Sequence, residues 1–135
     1  PAAIAAATSA RAVHAWDMLV SNRFPTRSVM LRRALPFRFR DKRYAEDYLL
    51  WLEVICAGHQ AWRLDAPLAL HFRPEFDRGG YSGQLWVHER RELNALAAIH
   101  HEGRIGAVPY ALAVGWSLAK YLRRIGVAAL RDRRG

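Results

Sequence analysis

Cysteine is almost missing from this chain. Cys56 is the only one among 135 residues, so no disulfide can close within the chain. The thiol sits in an apolar run and reads as a small buried hydrophobe suited to a reducing compartment. Acidic residues are scarce as well: 12 stand against 21 basic ones, nearly all Arg, for a formal net charge of +9. That balance makes anionic partners natural. Long apolar runs are lacking too. From Ile105 to Ala119 there are 15 uncharged residues, fewer than the roughly 20 a membrane span needs. There is no basic-then-apolar leader pattern, no internal repeat and no low-complexity linker, so secretion and repeat architectures have no support.

What is present suits one packed domain. The length allows a single core, and 52% hydrophobic with 24% charged residues is ordinary globular usage. The positive charge gathers in "RRALPFRFRDKR" from Arg32 to Arg43 and in Arg123, Arg124 and "RDRR" from Arg131 to Arg134. Phosphorylated ligands, anionic lipid or nucleic acid can each pair with such clusters, and a solvated basic surface is the plain alternative.

Periodicity gives the elements. Ala-rich sequence predicts a first helix from Ala3 to Leu19. Val29 and Leu31, after Pro25, predict a short buried strand, followed by a basic loop. Tyr48 to Cys56 is apolar nearly all round, so a helix from Glu46 to Gly58 should be buried on several sides, interrupted only by Glu53. Alternation from Trp62 to Phe72 predicts strand, divided by Pro67. A loop then leads to a third helix from Gln84 to Gly103, and a last helix starts at Pro109.

The stretch "RYAEDYLLWLEVICAG" places Glu46 and Asp47 side by side at the start of that buried helix. Acids there satisfy free N–H groups and complement the helix dipole. A buried helix also holds its first residues rigidly at the edge of a cleft, where a carboxylate can serve as a base. Both readings stand on residues alone.

In order and spacing, "NRFPTRSVMLRR", "AEDYLLWLEVICAG" and "DAPLALHFR" resemble the C-terminal half of family-2 glycosyltransferases with the GT-A fold, above all bacterial enzymes that build surface polysaccharides. The family helix often reads Glu-Asp-Tyr-Asp-Leu-Trp-Leu-Arg. Glu46, Asp47, Tyr48, Leu50, Trp51 and Leu52 match it, whereas Leu49 and Glu53 depart. The likeness runs from Asn22 to Tyr81, and more loosely through the last two helices.

This resemblance implies an α/β, helix-rich fold: the acceptor-side half of a GT-A transferase, with a few short strands and about four helices. It implies that Asp47 is the general base that takes the acceptor hydroxyl's proton in an inverting transfer. Glu46 would position the acceptor, and Ser28, Trp51 and Arg73 would contact substrate. The partners would be a nucleoside diphosphate sugar and a sugar or lipid-linked acceptor. A divalent metal, Mn or Mg, would serve the intact enzyme through ligands outside this chain. No two aspartates here are spaced by two and no Gly-rich turn cradles a phosphate, while Glu75 stands where relatives often carry His. The chain is thus expected to be the acceptor side alone, without a nucleotide-binding half. It should be inactive by itself, self-associating through uncovered apolar surface, cytoplasmic, and peripheral at an anionic membrane face.

Rival motifs are weaker. "HERRE" from His88 to Glu92 lacks the second His of a zinc motif and reads as solvated helix charge. His100 and His101 should meet terminal carbonyls. "GGYSG" around Ser82 does not form a nucleophile elbow. The five Trp read as mostly core or cleft lining. Nucleic-acid binding, or non-catalytic docking at a membrane, remains the alternative from another class. No nucleic-acid module is visible, so that partner is not favoured.

Overall fold

The computed structural model describes residues 9–66 and 85–132, and for 128–132 the backbone alone. In chain order they form β1 (Ala10–Val13), α1 (Ala15–Val20), a 3-10 turn (Thr26–Ser28), α2 (Glu46–Cys56), β2 (Ala61–Leu64), α3 (Leu85–His101) and α4 (Ala107–Asp132). Four helices thus accompany one two-stranded antiparallel sheet.

Helix α2 is the centre. Every residue from Tyr48 to Ile55 is buried, because α1 and α3 both pack on it. Its sequence suits that place: Leu and aromatic residues fill the middle, and the β-branched pair Val54–Ile55 comes last. Glu46 and Asp47 lie in the first turn, on the positive end of the dipole. Gly58 ends the element in the left-handed region at φ +87. Its N–H reaches the Ile55 carbonyl while the His59 N–H reaches that of Val54, satisfying carbonyls the helix leaves open. Gly103 closes α3 likewise at φ +69.

Polar ties fix what surrounds α2. The Tyr48 hydroxyl donates to the Met18 carbonyl at 2.9 Å and the Trp51 indole N–H to the Phe24 carbonyl at 3.1 Å. The carbonyl of Val20, the last residue of α1, accepts from both the Trp116 indole and Lys120 on α4. Met18, Leu49, Leu52, Leu96 and Ile99 fill the core.

Several expectations are corrected. Ala10–Val13, expected within the first helix, is strand, and only Ala15–Val20 is helical. Pairing with Ala61–Leu64 satisfies that backbone and outweighs alanine's helix propensity. The Asp17 carboxylate accepts the His14 N–H at 2.9 Å, which sets the later helix start. Val29–Leu31 is not a strand. The chain turns at Thr26–Ser28 instead, Met30 is 90% exposed, and no partner strand lies beside it among the described residues. Expectations for 67–84, including the second part of the divided strand, Glu75 and Ser82, lie outside the described residues. So does the start of the first helix at 3–8. Helix α4 begins two residues before Pro109, and among the described residues no helix is long and apolar enough to cross a membrane.

Candidate functional site

Asp47 is the second residue of α2 and half-buried. One carboxylate oxygen accepts the Thr26 hydroxyl at 2.7 Å, and the other accepts the Tyr48 backbone N–H at 2.7 Å. Asp47 therefore does cap helix backbone. It also lies on the wall of an open cleft of about 480 Å³, with Glu46 beside it. The 3-10 turn reaches this cleft through Thr26, the basic loop through Phe39 and Tyr44, and α3 through His88 and Arg91.

The walls are tied together by hydrogen bonds to backbone carbonyls. The Ala45 N–H donates to the Arg91 carbonyl at 3.2 Å, and the Asn94 side chain donates to the Arg43 carbonyl at 2.9 Å. The start of α2 is thereby pinned to the middle of α3, so Asp47 and His88 keep a fixed relation. Such rigidity is what a positioned carboxylate requires.

Behind His88 runs a buried polar network that contradicts the solvated-face reading of "HERRE". Glu89 has no exposure. It accepts the Ser117 hydroxyl at 2.7 Å and an Arg124 N–H at 2.7 Å. Ser117 also lies 3.3 Å from Glu92, and His88 Nε2 lies 3.0 Å from the other Glu92 oxygen. The reason is packing: α4 lies on this face of α3 and supplies Ser117, Lys120 and Arg124. The hydrogen bond to Glu92 raises the His88 pKa, against burial. Burial raises that of Glu92, but the His88 bond together with Lys120 and Arg124 more than offsets it and leaves the carboxyl below its usual range.

A second concavity, about 500 Å³, is lined by Arg40, Arg43 and residues of α3. Its arginines are already engaged: Arg40 with buried Glu53 and with Glu102, Arg43 with Asp41. Burial pushes the Glu53 carboxyl up against the pull of Arg40. With the cations neutralised inside the protein, the Asp47 cleft is the better candidate site. Among the described residues no group of three His, Cys, Asp or Glu side chains is disposed to hold a metal ion.

Of the residues singled out from sequence, Glu46 and Asp47 share this cleft. Ser28 does not line it. It is exposed in the 3-10 turn, not on a strand, and its hydroxyl donates to the Pro25 carbonyl at 3.0 Å. Trp51 is only 4% exposed, with its indole N–H committed to Phe24, and does not line this cleft. The other four Trp are each at least half exposed rather than core. Arg73 lies outside the described residues. His100 meets not a terminal carbonyl of α3 but that of Ile105 in the loop beyond it, at 3.0 Å, and stacks on Tyr110. Thr26, Phe39, His88 and Arg91 were not singled out as site residues. Only Thr26 left a local signal, a hydroxyl directly after Pro25 within the family-like segment.

Neither a family model, a curated protein nor a solved structure matches this chain.

Proposed function

We propose that the chain is the acceptor-side portion of an inverting, family-2-like glycosyltransferase of GT-A fold, with Asp47 as general base. The observation that carries this reading is Asp47 itself: a half-buried carboxylate in the first turn of the most buried helix, on the wall of an open cleft. The family-like order of the segments around Asn22–Tyr81 supports it.

The chemistry follows from the carboxylate. A sugar hydroxyl is a poor nucleophile. As its oxygen bonds to the donor's anomeric carbon, its proton passes to Asp47, and the nucleoside diphosphate departs from the opposite face with inversion. The Thr26 hydroxyl, donating to Asp47, fixes the carboxylate plane and leaves lone pairs for that proton. Glu46, in the same cleft, orients the acceptor. A divalent metal, Mn or Mg, would neutralise the leaving diphosphate on the donor side. The described residues of this chain do not assemble a site for it, and Asp47's step does not run through it.

Transfer assays on the whole polypeptide that carries this chain test the reading. With a panel of nucleoside diphosphate sugars and sugar acceptors, proton NMR should show a product whose new glycosidic bond has the opposite anomeric configuration to the donor. Retention of configuration, or no transfer from any donor, would refute the proposal.

A further inference from the structure

We infer that the acceptor hydroxyl belongs to a pyranose ring, and that this ring seats on Phe39 beside Asp47. The inference rests on the transferase reading and adds how the acceptor ring is seated and the residue that selects it.

Phe39 is an apolar ring left 54% exposed in a cleft whose other named groups are mostly polar. Exposing it costs hydrophobic free energy, so what restores that burial is informative. The ring is also held. Buried Trp51 meets it nearly perpendicularly, at 73° with centroids 6.2 Å apart, and Trp51 is fixed in turn by the bond to Phe24. That brace orients Phe39 without covering it.

A pyranose matches this arrangement on two sides. Its axial C–H groups form an apolar, weakly positive face suited to the negative face of an aromatic ring. Its hydroxyl rim needs hydrogen-bonding groups, and Glu46, Asp47 and His88 line the same cleft. A phosphate-bearing acceptor group suits it less. Two carboxylates, Glu46 and Asp47, share the cleft with Arg91, and the cationic form of His88 is bound to Glu92. No surplus positive charge remains for an anion. The aromatic platform is thus a Phe of the basic loop rather than any of the five Trp.

Saturation-transfer NMR on the full chain tests this with methyl β-glucopyranoside, methyl β-galactopyranoside and methyl α-mannopyranoside, with glycerol and glycerol 3-phosphate as controls. At least one glycoside should bind with its ring C–H protons most strongly saturated. Phe39→Ala should weaken it about tenfold, the scale of one aromatic contact, whereas Phe39→Tyr should keep it. No glycoside binding, equal binding by Phe39→Ala, or tighter binding of glycerol 3-phosphate than of every glycoside would overturn the inference. The two readings fail separately. Phe39-dependent binding without transfer by the whole polypeptide removes the transferase and leaves the sugar platform. Transfer whose acceptor KM ignores Phe39→Ala removes the platform and leaves the transferase.

Discussion

Asp47 shows how little a single residue reveals until its neighbours are known. The carboxylate caps backbone through Tyr48 and also faces a cleft, so the two readings of an acid at a helix start are compatible. "HERRE" carried the opposite lesson. Alternating charge on a helix ordinarily marks a solvated face, yet Glu89 is fully buried. Its partners Ser117 and Arg124 lie 28 and 35 residues further along the chain, beyond the reach of local pattern. The His88–Glu92 pair should leave a pH signature. The His88 pKa is raised, so its contribution to stability is full below the unfolded value near 6.5 and fades as pH rises through the folded value. The Glu92 pKa is lowered, so its contribution is full above the unfolded value near 4.5 and fades as pH falls through the folded value. The pair therefore stabilises most between these two limits. Thermal melts across pH should show that maximum in the wild type and a flatter profile in His88→Gln; identical profiles would discount the pair.

At the scale of elements, α2, α3 and α4 were legible because each carries a long pattern with a recognisable start or stop: acids before an apolar run, Gly58 and Gly103 at two ends, Pro109 in a first turn. β1 was not. Its four residues follow an Ala-rich run, and only the pairing with β2, some fifty residues away in sequence, makes them strand. The turn at Thr26–Ser28 escaped for the same reason, since alternation over three residues does not specify a strand without a partner. α2's central place gives a stability prediction. Leu52 has no exposure and lies within the main apolar cluster, so Leu52→Ala should cost about 2–5 kcal/mol through lost burial and the cavity left behind. Urea denaturation measures it. A loss under about 1 kcal/mol would mean that the helix is not the core it forms here.

For the whole molecule, sequence legibility stopped at the cleft. The helix that presents Asp47 was readable, but Phe39, His88 and Arg91 come together only through the fold, from the basic loop and α3. The outer side of α4 is another whole-molecule feature. Val108, Leu112, Trp116 and Leu122 are each at least half exposed, and the uncharged stretch from Ile105 to Ala119 runs through it. The polar residues Ser117 and Arg124 instead turn inward to Glu89. Through Ser117 and Arg124, α4 thus anchors α3, while these apolar side chains stay exposed on its other side. Function, in the reading proposed, turns on the Asp47 carboxylate on the wall of the cleft. The most direct measurement is turnover and acceptor binding of Asp47→Asn in the whole polypeptide: kcat should fall by a factor on the order of 10² to 10⁴ with acceptor affinity and melting temperature nearly unchanged, whereas unaltered turnover in a folded variant would contradict the assignment.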